Sequence, residues 1–313
     1  MNSFVQSLFM TKLFRYRILS LGDIVQKLYS GSEALKEPTE TTQSNSTNSK
    51  SMASDERKKA VSLFQLQKLF AYLVSSEREA VTPTFLKATL PLHFKTSHAQ
   101  EDSSEFGRFY LDDLEKSLAQ TEEKDLIKEM FTGEMISYIT CQDCQTKYKK
   151  TENFLDLSLN FESRDANVSY DLDKLVNKNF EPIEFKDDNQ YFCENCQKLS
   201  SKAIKTHIPT RLPPILILTI NRFYFDTKTF QRVKVLSHVN VTEELDLIQE
   251  SELGLQEEVK YDLYAIIVHR GMTLDYGHYY TAAKENANDS TWILFDDSTT
   301  MSLEKLDPFE YVK

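Results

Sequence analysis

Cys141-Gln142-Asp143-Cys144 is answered by Cys193-Glu194-Asn195-Cys196, two C-x-x-C knuckles with 48 residues between them. Paired knuckles of this kind bring four thiolates tetrahedrally onto one structural zinc. A redox dithiol would need one pair inside a βαβ setting, which neither pair has. The interval exceeds the ~15 to 20 residues of a compact zinc ribbon, so the knuckles are expected to cap a longer two- or three-stranded excursion. Metal would clip together strands too few to bury a core of their own. These four are all the cysteines of the chain, so zinc ligation at Cys141, Cys144, Cys193 and Cys196 leaves no thiol as a nucleophile. With no signal peptide in view, such pairs favour a reducing cytoplasm or nucleus over a secreted disulfide framework.

Upstream of the knuckles the pattern is helical. The first 22 residues carry Lys12, Arg15 and Arg17 but no acid, and read as an amphipathic first helix. Leu63, Leu66, Phe70 and Leu73 form one apolar stripe of a helix ending near Ser75, and Thr82-Pro83 looks like the cap and first position of a short one. Asp102-Ser103-Ser104-Glu105 has the form of a capping box before Phe106, Tyr110, Leu111, Leu114 and Leu118. Between these, residues 37 to 58 are so poor in apolar side chains that they read as a flexible insertion.

Downstream the character changes to short β-branched and aromatic runs: 135–140, 154–161, 215–223, 261–269, 278–283 and 292–295. Helices first and strands after them argue an α+β protein rather than a doubly wound sheet. The 313 residues suffice for a sizeable core, and 20 Phe with 15 Tyr exclude wholesale disorder. The longest apolar run, Pro213 to Ile220, is far short of a membrane span and reads as a buried strand. A net charge of −11 disfavours nucleic acid and anionic lipid and suits a basic partner.

Six histidines occur. His93, His98, His207, His238 and His269 have no neighbours suggesting chemistry and read as surface or core residues. His278 stands in Gly277-His278-Tyr279-Tyr280 and is followed by Trp292-Ile293-Leu294-Phe295-Asp296-Asp297. A glycine before a histidine lets a substrate backbone approach, and a neighbouring strand ending in Asp could hold the imidazole tautomer for general-base work. A His and an Asp on two strands are also a common structural pairing.

Taken together, these motifs resemble the ubiquitin-specific proteases, the papain-like cysteine deubiquitinases. Met1 to Leu8 is similar to the tail of the family's cysteine box. Gln100-Glu101-Asp102-Ser103-Ser104-Glu105-Phe106 is similar to its Gln-Gln-Asp-x-x-Glu-Phe segment. The two knuckles, Leu218 to Phe223, Gly277 to Tyr280 and Trp292 to Asp297 follow in family order. The resemblance implies a single domain over 1–313: a helical thumb in 1–120 interrupted by the insertion 37–58, zinc-bearing fingers mainly in 134–212, and a palm mainly in 213–313. It implies ubiquitin and ubiquitinated proteins as partners and one structural zinc per chain. By resemblance, His278 is the general base and acid, Asp296 orients it, and Asp297 assists in the oxyanion region. Asp102 and Glu105 meet the arginines of the ubiquitin tail, and Phe223 and Tyr279 line the channel for its two glycines.

The family's nucleophilic cysteine would stand two residues before Met1, and the palm strand that usually closes the domain does not follow Lys313, so the chain reads as incomplete at both ends. The expectation is a deubiquitinase domain without its nucleophile. The alternative is a ubiquitin-binding pseudoenzyme.

Overall fold

A computed structural model of the chain describes residues 1–22, 51–78, 80–96, 102–186, 188–200, 202–228, 230–251, 253–271, 273, 276–286, 289 and 291–303. Residues 37–50 of the expected insertion, and Gln100 and Glu101, lie outside them. The chain divides into two compact units, Met1–Ile127 with Tyr264–Pro308, and Lys128–Leu263 with Phe309–Lys313.

The first unit begins with two helices, α1 (Asn2–Met10) and α2 (Lys12–Ser20), where the sequence suggested one. The break is at Thr11, whose ψ of 89° leaves the helical region. Its N–H still reaches Ser7 O at 3.1 Å, and its hydroxyl is held 2.7 Å from the Tyr264 hydroxyl. Helix α3 (Ser51–Ser75) starts inside the stretch expected to be flexible and ends where its stripe predicts. Leu63, Leu66 and Phe70 are buried, and Gln67 Nε2 donates to Ile18 O at 3.2 Å and Leu21 O at 2.9 Å, using carbonyls left over at the end of α2. The short α4 (Thr84–Thr89) begins one residue later than Thr82-Pro83 suggested, with Pro83 as its N-cap, and α5 (Leu92–Thr96) follows.

Helix α6 (Ser103–Leu118) is the strongest element of this half. Asp102 caps it by accepting from Ser104 N–H at 2.7 Å, a contact worth about 1 kcal/mol. The stripe Phe106, Tyr110, Leu111, Leu114 and Leu118 is at most 1 % exposed, the Phe and Leu side chains each gaining about 2 kcal/mol from burial. Gly107 is required for close approach, since a Cβ there would stand 2.5 Å from the Phe4 ring.

Helix α7 (Leu126–Phe131) leads into the second unit. There β1 (Gly133–Cys141), β2 (Lys147–Phe154), β5 (Ile183–Glu184) and β8 (Ala203–Arg211) form an antiparallel sheet in the order β2-β1-β8-β5. Between them come β3 (Leu157–Leu159), β4 (Tyr170–Asp171), α8 (Leu172–Asn177), and the hairpin β6 (Tyr191–Cys193) to β7 (Lys198–Ser200). After β8 follow β9 (Leu218–Ile220), β10 (Phe223–Asp226), β11 (Gln231–Lys234), β12 (Val239–Asn240), β13 (Glu244–Glu250) and β14 (Gln256–Asp262). The core of this unit joins Leu157, Leu159, Leu172, Leu175, Val176, Leu212, Val239, Leu245 and Leu247.

The apolar run from Pro213 gives less strand than its composition suggests. Only β9 forms, parallel to β3 and half-buried, because the two prolines cannot donate to a ladder and Ile215 N–H goes instead to Met130 O at 2.9 Å.

The chain then returns to the first unit as a meander: β15 (Ala265–Arg270), β16 (His278–Lys284), β17 (Trp292–Asp296) and β18 (Thr299–Leu303), antiparallel and in sequence order. Thr281 on β16 is fully buried and donates to Ser3 O of α1 at 2.9 Å. Segregated helices and mostly antiparallel strands make this an α+β protein. Among the described residues no helix is long and apolar enough to cross a membrane.

Candidate functional site

In the second unit both knuckles are hairpin turns, one joining β1 to β2 and the other β6 to β7. Each turns through a left-handed residue just after its second cysteine, Gln145 at φ 62° and Gln197 at φ 54°. Each glutamine amide reaches back to its own turn, Gln145 to Gln142 O at 2.9 Å and Gln197 to Glu194 O at 2.5 Å. The knuckles are therefore a repeated C-x-x-C-Q unit, a signal visible in the sequence that the cysteine spacing alone did not use.

The four sulfurs converge, all within 4.8 Å of one another, with Cys144 to Cys193 at 3.6 Å and Cys141 to Cys196 at 3.9 Å. A zinc ion bonded at about 2.3 Å to four tetrahedral sulfurs separates them by about 3.8 Å. The donor set therefore fits zinc. Cys196 N–H points at Cys193 Sγ at 3.5 Å, a backbone contact that favours a thiolate. The thiols titrate unevenly. Hydrogen bonding from Thr146 and then Asn195 brings Cys144 down to about 5, while the bond to Cys144, then burial, pushes Cys196 up to about 12. A divalent cation would supply the charge for all four to ionise. A second tie crosses the knuckles: Asp143 accepts from Ser200 Oγ at 3.3 Å and pairs with Lys198 at 3.3 Å, chiefly the lysine bond holding its carboxyl below the usual range.

In the first unit, His278 opens β16 and Asp296 closes β17. Phe295 pairs with Thr281, so one further step sets Asp296 against Tyr280, and His278 lies two residues along on the same face. His278 Nε2 and Asp296 Oδ1 meet in a hydrogen bond, both side chains remaining more than a third exposed. Asp297 follows in a left-handed turn at φ 50° and brings a carboxylate within 4.8 Å of the pair.

Asp102 and Tyr279 also come together in this unit. Burial chiefly raises the Tyr279 phenol, the Asp102 charge raises it further, and Ser103 offsets part of this by donating to it from backbone and hydroxyl. Glu105 is exposed one turn into α6. Phe223, half-buried, lies in the second unit on β10, paired across the hairpin with Lys234, whose ammonium is 5.6 Å from the ring centre. Gly277 serves differently from expectation. The space that its missing side chain frees is taken by the chain itself, since a Cβ would stand 2.2 Å from His269 Nε2.

The model of the ubiquitin carboxyl-terminal hydrolase family matches residues 1–308. The chain is 30% identical over 295 residues to ubiquitin carboxyl-terminal hydrolase 40 of Homo sapiens, covering 93% of this chain and 22% of that protein. It is 29% identical to ubiquitin carboxyl-terminal hydrolase 15 of Schizosaccharomyces pombe, covering 95% and 23%, and 29% identical to ubiquitin carboxyl-terminal hydrolase 48 of Gallus gallus, covering 76% and 22%. The chain spans about a fifth of the length of these relatives. A match over nearly the whole chain, joined to an α+β fold with a His–Asp pair at the expected strand ends, makes this chain a member of the ubiquitin carboxyl-terminal hydrolase family, the ubiquitin-specific proteases.

Proposed function

We propose that the chain is the body of a cysteine-type deubiquitinase domain, acting on the bond after the C-terminal glycine of ubiquitin. The observation that carries this reading is the His278–Asp296 pair. Asp296 engages Nε2, which leaves Nδ1 as the nitrogen able to take a thiol proton and later return it to the leaving amine. Asp296 fixes the tautomer and stabilises the imidazolium, and Asp297 assists beside it. Asp102 and Glu105 offer carboxylates to the basic tail of ubiquitin, and Tyr279 lines its two glycines; Phe223, in its own unit, keeps the same assignment by resemblance. One zinc on Cys141, Cys144, Cys193 and Cys196 holds the fingers. Its thiolates suit a reducing cytoplasm or nucleus.

A second reading has its own observation. All four thiols of the chain belong to the metal cluster, so these 313 residues by themselves bind ubiquitin without cleaving it. The test is release of a fluorophore from the ubiquitin C-terminus by the 313-residue chain and by a chain joined ahead of Met1 to a Gly-Asn-x-Cys-Tyr segment, each with His278→Ala as control. The expected result is an inert short chain and turnover by the longer one that depends on His278. Turnover by the short chain, abolished by His278→Ala, would overturn the assignment of the thiols. A longer chain that folds, carries zinc, binds ubiquitin and stays inert would establish the binding-only reading.

A further inference from the structure

His269 has no place in the chemistry so far, but its ring has a specific seat. It lies on β15 opposite Tyr279 on β16, with ring centroids 4.7 Å apart and planes at 49°. Its other edge fills the notch of two glycines. A Cβ on Gly277 would stand 2.2 Å from His269 Nε2 and 2.7 Å from Cε1, and one on Gly271 would stand 3.3 Å from Cε1. Side chains alternate along a strand, so residues 277 and 279 share one side and His278 takes the other, with Asp296. The ring of His269 therefore rests against the residues just before and just after His278, from behind. Tyr279, held between this ring and Ser103 with Asp102 at the start of α6, extends the contact to the cap of that helix.

We infer that His269 is a positioning residue for His278: its imidazole is the stop that sets the backbone of Gly277-His278-Tyr279, and thereby the reach of His278 to Asp296. A flat ring suits the seat, because the glycine notch admits an edge but no branched side chain. This inference rests on the reading of His278 as the general base, and adds a residue that touches neither substrate nor nucleophile. It gives one reason why a glycine precedes His278, beside the Arg270 carbonyl that would stand 2.7 Å from a Cβ there: the ring and the glycine are complementary in volume.

That complementarity supplies the test, in the 313-residue chain with nitrogen-labelled histidine. Six histidines can be assigned by single substitution. Gly277→Ala is expected to displace the His278 ring-nitrogen signals and expose its Nε2 proton to exchange. Gly277→Ala combined with His269→Ala relieves the clash with the ring but not the one with the Arg270 carbonyl, 2.7 Å from such a Cβ, so the His278 signals are expected to return only part of the way towards the parent. His269→Ala alone, which creates no clash, is expected to displace the His278 ring-nitrogen signals and speed exchange of its Nε2 proton, and His269→Gln to do so less. A merely structural role would lower stability in all variants with no rescue at His278. Unmoved His278 ring-nitrogen signals in His269→Ala would overturn the inference. Ubiquitin affinity, measured in parallel, separates the two proposals. A displaced His278 in His269→Ala with no ubiquitin binding by the parent sinks the functional reading alone, and binding with His278 unmoved sinks the positioning role alone.

Discussion

The thiol cluster and the His278–Asp296 pair are both assembled at the ends of hairpin strands, yet they are stabilised in opposite ways. In the cluster Cys141 and Cys193 are at most 2 % exposed, and turn residues Gln145 and Gln197 accept left-handed backbone so that four sulfurs converge. The His–Asp pair stays more than a third exposed and is held by a single hydrogen bond between diagonal neighbours. A structural metal site is closed and contributes to folding directly, whereas a proton-transfer site must leave one side open to what it acts on. Removing a member of the first should cost structure. Removing a member of the second should cost only chemistry.

The sharpest attempt to break that contrast is Cys193→Ser. With zinc sites of this class worth about 10 kcal/mol or more, the variant should lose bound metal and unfold the finger strands, as read by metal analysis and by circular dichroism on reduced protein. Parent protein that is fully folded and binds no zinc would remove the distinction. Asp296→Asn is the complementary case. In a chain supplied with a thiol, hydrolysis should fall at least about a hundredfold, with zinc content and thermal midpoint unchanged. A large drop in midpoint would mean that the pair is part of the framework after all.

A smaller effect is expected at Asp102, which both caps α6 and faces Tyr279. Asp102→Asn keeps the cap and removes the charge, so ubiquitin affinity should weaken a few-fold at constant stability. Asp102→Arg should weaken it further and cost about 1 kcal/mol of helix cap. Equal affinity of the parent for ubiquitin and for ubiquitin lacking its tail would dismiss the role of that charge.

The smallest effect lies in the finger sheet. His207 is held below its ordinary value chiefly by burial, helped by Lys205 and opposed by Glu152, and its Nδ1 is 2.9 Å from Ser137 Oγ. As pH falls through about 6.5, the unfolded chain takes up a proton before the folded one does, so stability declines with falling pH. His207→Gln should flatten that part of the profile in denaturant titrations between about pH 7.5 and 5.5. A slope unchanged by the substitution would assign the pH dependence elsewhere.

The same contrast explains what the sequence could tell. Four cysteines announce their site by spacing alone, because one kind of atom at fixed intervals has few other uses. The α6 stripe was equally legible, since Asp102 and the apolar residues after it obey local rules. His278 and Asp296 were ambiguous by themselves and became meaningful only in the order of the surrounding motifs. The strand β8 was not anticipated. Its Ala203 to Arg211 stretch is mixed in polarity, and its place between β1 and β5 is set by partners distant in the chain. The role of Gly277 was misread because the imidazole that fills its notch comes from the preceding strand.

The division of the chain has a consequence for synthesis. Residues Lys128–Leu263, the bulk of one unit, follow one another without interruption, whereas Met1–Ile127 is completed only by the strands from Tyr264 onward. Buried positions such as Thr281, whose hydroxyl donates to the Ser3 carbonyl, join the two ends of this unit across the whole intervening stretch. On a ribosome adding about 5–20 residues per second, the α1–α6 segment therefore waits roughly 10 to 40 seconds for its sheet, while the cysteine-bearing stretch 128–263 is made first. The helical segment spends that interval without β16, whose Thr281 meets the Ser3 carbonyl of α1. That makes it the stretch for which chaperone capture matters.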